Sequence, residues 1–201
     1  MTEDRKTQIL GKKIIILGCP GSGKSTLARK LHDKTGIPLF HLDSLWWKED
    51  RTHISRELFD RKLETVLRSE EWIIDGDYSR TYETRFAHCD TIVFLDYDEE
   101  ECLKGIAERI GRKRPDIPWN EDRPDPQLIA EVKSYHMEKR PKVLDLIGKH
   151  PDKQVMVFRT RKQAQAWLSG TAEENAAKRI GIVGDNCSGR WNRIRAGAGL
   201  Q

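Results

Sequence analysis

The run Gly18-Cys19-Pro20-Gly21-Ser22-Gly23-Lys24-Ser25 fills every slot of the pattern G-x-x-x-x-G-K-[ST]. Before it, Lys12-Lys13-Ile14-Ile15-Ile16-Leu17 reads as a buried strand; after it, Thr26 to His32 reads as a helix. A strand, a glycine-rich turn and a helix N-terminus together form an anion cradle. Backbone N–H groups point inward, the helix dipole adds partial positive charge, and the lysine adds a full one. A glycine turn serving only as a connection gives no reason for Lys24 and Ser25 to follow Gly23.

The flanking pattern repeats. Further strands are expected at Pro38–Asp43, Trp72–Asp75, Thr91–Asp96 and Gln154–Phe158. Helices are expected from about Lys24 to Thr35, ending at Gly36, and from Ser55 as N-cap through Leu58, Phe59, Leu63, Val66 and Leu67. Others are expected over Glu99–Arg112, over Leu128–Ile147 with an interruption near Pro141, and over Lys162–Leu168. Strands alternating with helices imply crossover connections and a parallel sheet. The expected fold class is α/β: a P-loop NTPase three-layer sandwich on a five-stranded parallel sheet. Ligands of such sheets bind at the carboxyl ends of the strands, where Gly18, Asp43, Asp75 and Asp96 all fall.

At 201 residues the chain suits one domain with a tail. Residues 1–170 read as the P-loop domain, with an acceptor-binding region at about 38–70. The stretch 112–127 carries four of the eight prolines, here Pro115, Pro118, Pro124 and Pro126, and reads as a short lid outside regular structure. Residues 171–201 read as a linker and a degenerate tail. Lys178 to Arg190 echoes Lys12 to Lys24, but Arg190 stands in the lysine slot and Trp191 in the hydroxyl slot.

A net charge of +4 fits a phosphate-bearing ligand and is too small to argue for nucleic-acid contact by itself. The four cysteines are scattered, without a C-x-x-C pair, so neither zinc nor a disulfide framework is indicated. His41, His53, His88 and His136 show no metal-ligand spacing. The polar start of the chain does not read as a signal peptide, and no apolar run is long enough to span a membrane, so a cytoplasmic location is expected.

Phosphoryl transfer needs charge neutralisation and positioning more than covalent chemistry. Lys24 is expected to contact the β- and γ-phosphates of ATP and Ser25 to ligate Mg²⁺. Thr26 and the amides of Gly21, Ser22 and Gly23 are expected to hold the α- and β-phosphates, with Gly18 and Pro20 also among the nucleotide-binding residues. Asp75 ends an apolar strand, as a Mg²⁺-orienting acid does; it also stands in an Asp-Gly turn signal. Asp43 either accepts a proton or hydrogen bond from an acceptor hydroxyl or caps a turn. Trp46 and Trp47 either stack a base or simply pack. Arg80 and Arg85 are candidates to clamp a phosphate or carboxylate of the acceptor. Arg112 and Arg114 from the lid and Arg140 facing it are candidates to meet the γ-phosphate; as a charge run they also read as a solvated basic face.

These motifs resemble the adenylate-kinase-like small kinases and, more closely, a bacterial family known as DNA topology modulation proteins. The resemblance covers about residues 12–169. It is carried by the P-loop run through Thr26, by His41-Leu42-Asp43 with Trp46, and by Trp72-Ile73-Ile74-Asp75-Gly76-Asp77-Tyr78-Ser79-Arg80-Thr81. Asp90–Asp96, Arg109–Pro118 and the helix around Tyr135 and Arg140 complete it. It implies that Asp75 organises the metal, that Arg80 holds an acceptor phosphate, that Arg109 lies near the adenine and that Arg112 and Arg114 belong to the lid. Asp77-Tyr78-Ser79 stands where adenylate kinases carry Phe-Pro. The function expected is an ATP-dependent phosphotransferase acting on a small acceptor, a nucleotide or nucleoside. The alternative is an ATP-binding regulator that influences DNA topology or gene expression without productive transfer. Acceptor identity and oligomeric state are not legible from the chain.

Overall fold

Ile14, Ile15, Ile16 and Leu17 are all fully buried, which only a central strand covered on both faces allows. They belong to β1 (Lys13–Gly18) of the computed structural model, which describes residues 11–119 and 121–170. Four more strands, β2 (Leu39–His41), β3 (Trp72–Asp75), β4 (Thr91–Leu95) and β5 (Gln154–Phe158), join it. The sheet order is β2-β3-β1-β4-β5 and every pairing is parallel.

Alternate strand residues feed two cores. Ile14, Ile16, Ile73 and Val93 pack against α1 (Lys24–Thr35), α5 (Glu99–Arg109), α6 (Pro126–Glu138) and α8 (Arg161–Ser169). Ile15, Leu17, Ile74 and Phe94 pack against α3 (Arg56–Leu67), α4 (Tyr82–His88) and α7 (Arg140–Lys149). The result is the three-layer α/β sandwich expected. Because the chain leaves β1 toward β2 and β3 on one side and reaches β4 on the other, a crevice opens at the carboxyl end of β1.

Local signals fared well where they were strong. Gly36 caps α1 in the left-handed conformation, its amide donating to the His32 carbonyl. The Ser55 hydroxyl accepts from the Leu58 amide at the start of α3.

Two expectations need correction. The second strand stops at His41, and Leu42–Trp46 forms a short helix, α2, so Asp43 lies in a helical first turn rather than at a strand end. The interruption expected near Pro141 is present and divides 128–147 into two helices. Lys139 separates them with φ −102°, and Pro141 opens α7, where its missing N–H costs nothing. The lid is irregular yet packed: Asp116 and Ile117 are buried, and α6 begins at Pro126 with the Asp125 side chain capping the Gln127 amide. The seven-residue α4 has no obvious sequence signal beyond the pair Tyr82 and Phe86, one helical turn apart and both buried. The degenerate tail at 171–201 lies outside the described residues. Among the described residues, no helix is long and apolar enough to cross a membrane.

Candidate functional site

The glycine-rich turn is built by steric necessity. Gly21 has φ +83°, and a Cβ there would overlap the carbonyl oxygen of Cys102 on α5. A Cβ on Gly105 would in turn overlap the Gly21 carbonyl, so turn and helix are in backbone contact. Gly23 has φ +89° and sits as the N-cap of α1. Since α1 starts at Lys24, the amides of its first turn have no acceptor within the helix. They face the mouth of the crevice together with the Lys24 ammonium, which is held by the carbonyls of Gly18 at 2.8 Å and Cys19 at 3.0 Å. The Ser22 amide, expected among the anion donors, instead closes the turn on the Cys19 carbonyl at 3.1 Å. Cys19 is buried within the turn; a hydrogen bond with Cys102 and burial push its thiol up, so it stays neutral.

Asp75 reaches the same crevice from the end of β3, where it pairs in register with Ile16 of β1 and His41 of β2. One carboxylate oxygen meets His41 Nδ1 at 2.9 Å. The other has no hydrogen-bond partner although the side chain is only 4% exposed. A buried, unpaired carboxylate oxygen is the donor chemistry that a hard divalent cation requires.

Asp43 stands beside this pair. The Tyr78 hydroxyl donates to its carboxylate at 2.8 Å. Burial raises the Asp43 pKa; the Tyr78 hydrogen bond works against this and the neighbouring Asp75 charge works with it. Tyr78 has φ +26°, a conformation rare for a residue with a Cβ and concentrated at functional sites. Trp46 is a packing residue: it stacks on His53 with ring centroids 4.4 Å apart and meets Phe59 edge-on at 5.4 Å. Trp47 meets Trp119 of the lid edge-on at 5.5 Å.

The lid is held down by its own charges. Arg109 donates from Nη2 to Glu121 at 2.7 Å and makes an ion-pair contact with the other carboxylate oxygen, also at 2.7 Å. Arg114 bonds to Asp116 and, at 2.8 Å, to Glu121. Burial by itself would raise the Asp116 carboxyl, but Arg114, with help from the nearby Ser25 hydroxyl, holds it at about 2. Arg29 of α1 lies 3.7 Å from the same carboxylate, and the Ser44 hydroxyl donates to the Asp116 carbonyl at 2.9 Å. Asp116 and Glu121 were not singled out from sequence. Their signal was the alternation of charges within the lid, which does not say which acid takes which arginine.

The arginines expected at the acceptor are engaged by the protein's own groups. Arg80 is half-exposed and bonds to Asp60 of α3 at 2.5 and 3.0 Å. Arg85 is fully buried. Its guanidinium serves the carbonyls of Gly76, Asp77 and Tyr78 and the Thr81 hydroxyl, so it braces the loop after β3 instead of facing a ligand. Arg140 is paired to Asp96. Arg112 is exposed, and Thr26 is exposed at the start of α1. Lys24, Ser25, Asp43, Asp75 and Arg114 are thus the expected residues that the fold gathers at one crevice.

The fold is an α/β sandwich on a five-stranded all-parallel sheet, with the P-loop turn between β1 and α1. A family model described as the viral superfamily 1 RNA helicase core domain matches residues 14–87, less than half of the chain. That segment runs from the P-loop strand through Asp75 to α4. No curated protein matches the sequence. Among solved structures, the shikimate kinase from Bacteroides thetaiotaomicron is similar over 79% of this chain and 94% of its own, with 18% identity and a TM-score of 0.48.

Proposed function

We propose that this protein is a Mg²⁺- and ATP-dependent phosphotransferase acting on a small acceptor. One observation carries the reading. A phosphate cradle with a lysine at its mouth shares a crevice with two carboxylates from separate elements, Asp43 and Asp75, and a packed loop lies over it. A module that only binds nucleotide has no need of a second carboxylate beside Asp75.

In this reading the α1 amides and Lys24 hold the ATP phosphates, and Ser25 and Asp75 hold Mg²⁺. The cation, when bound, neutralises phosphate oxygens and fixes their orientation. Residues 38–70 form the acceptor side, and residues 112–127 act as the lid that excludes water. Arg109 and Arg114 reach the nucleotide by exchanging Glu121 and Asp116 for phosphate oxygens. The donor is the cytoplasmic ATP pool.

The test is Lys24→Ala. Calorimetry with Mg-ATP is expected to show at least a hundredfold loss of affinity, and transfer of labelled phosphate is expected to vanish. Full activity in that variant overturns the mechanism. ATP binding without transfer to any acceptor, accompanied by salt-sensitive DNA binding, would favour the regulator.

A further inference from the structure

Two features of the backbone set His41 beside Asp75. β2 and β3 run parallel with His41 in register with Asp75, and such neighbours lie about 4.8 Å apart with their side chains on one face of the sheet. Beyond the strands the two segments stay in contact: a Cβ on Gly76, which has φ +133°, would lie 2.8 Å from the Leu42 Cβ. His41 Nδ1 meets Asp75 Oδ2 at 2.9 Å, and both side chains are largely buried. A carboxylate can only accept, so Nδ1 carries the proton of this bond.

Two other buried acids have partners of a different kind. Asp96 and Asp116 are each gripped by a guanidinium, a permanent positive charge that offsets the carboxylate. An imidazole N–H fixes the orientation of a carboxylate without bringing a permanent charge. At Asp75 it occupies Oδ2 and leaves Oδ1 buried and without a hydrogen-bond partner. A ligand for a hard cation needs both properties: a carboxylate held in one orientation, and an oxygen not already engaged.

We propose, resting on the reading that Asp75 holds Mg²⁺, that His41 is a positioning residue for the metal. Its Nδ1–H holds Asp75 Oδ2 so that Oδ1 stays oriented and free for the cation.

The experiment uses the full chain with two substitutions. His41→Leu removes the donor, and His41→Asn carries its amide nitrogen as many bonds from Cα as Nδ1. Calorimetry measures ATP affinity with Mg²⁺ and in EDTA. Electron paramagnetic resonance follows protein-bound Mn²⁺ in the presence of the β,γ-imido analogue of ATP. In His41→Leu, Mn²⁺ affinity is expected to fall about tenfold or more, while ATP affinity in EDTA stays within about threefold of the native value. In His41→Asn, Mn²⁺ affinity is expected to return to within about threefold of native. If His41→Leu does not fold, His41→Gln, whose amide nitrogen corresponds to Nε2, is expected to show the same loss. Unchanged metal affinity overturns the inference and leaves the phosphotransferase reading standing. So does an equal fall in ATP affinity with and without Mg²⁺, which is the mark of a merely structural role, and so does rescue by Gln but not by Asn. A native chain that holds no Mn²⁺ in the presence of the analogue overturns both.

Discussion

Arg140 grips Asp96 with two prongs, Nε to Oδ1 at 2.6 Å and Nη2 to Oδ2 at 2.9 Å. The pair ties the start of α7 to the end of β4, and Arg159 approaches the same carboxylate at 3.2 Å. The Asp96 side chain is 1% exposed, and these two guanidiniums are its charged partners. Arg140 is therefore a structural clamp between a helix and the sheet. Replacing it by Met leaves a buried carboxylate short of its main partner, which costs roughly 3 kcal/mol. The urea midpoint of Arg140→Met is expected to fall accordingly; an unchanged midpoint would disprove the clamp.

Arg85 and Arg80 should respond very differently to truncation. Arg85→Leu strips three carbonyls and a hydroxyl of a charged donor in a buried loop, and a loss of roughly 3 kcal/mol or more is expected. Arg80→Ala removes a half-exposed ion pair and should change stability by about 0.5 kcal/mol or less. Chemical denaturation of the two variants side by side checks the contrast, which fails if they are equally destabilised.

Two glycines of the P-loop offer a matched pair. Gly23→Ala meets nothing within 4 Å and suffers only from its positive φ, about 1 kcal/mol, or a Tm drop of about 2–4 °C for a chain of this size. Gly21→Ala adds a collision with the Cys102 carbonyl of α5 and is expected to lower Tm by roughly 10 °C. Differential scanning calorimetry distinguishes them; equal shifts would mean that the turn and α5 are not in contact.

Asp116 links the lid to acid stability. Its carboxyl titrates at about 2 in the folded protein, against an ordinary 3.8. A depressed carboxyl contributes stability above its unfolded pKa and loses it as the pH falls toward the folded one. On the order of 2 kcal/mol should disappear between about pH 4 and pH 2. Other acids titrate in the same window, so the readout is the difference from Asp116→Asn. That variant should lose less stability than the native chain between pH 5 and pH 3, measured as urea midpoints.

The P-loop, β3, β5, and the ends of α1 were legible in the chain because each is determined within a few consecutive residues. A left-handed glycine, an apolar run or a capping hydroxyl carries its reason locally, as at Gly36 and Ser55. The Walker-type spacing likewise fixes Lys24 and Ser25 relative to the turn without help from the rest of the fold. What only the tertiary structure decided is how the charges are spent. Arg140 finds Asp96 across 44 residues, Tyr78 finds Asp43 across 35, and Arg80 finds Asp60 across 20. Coulombic and hydrogen-bond partners at such separations depend on crossover geometry, and no local pattern encodes that. An arginine in sequence is a cation looking for an anion; only the packed sheet and its helices determine whether that anion is a ligand or one of the protein's own acids.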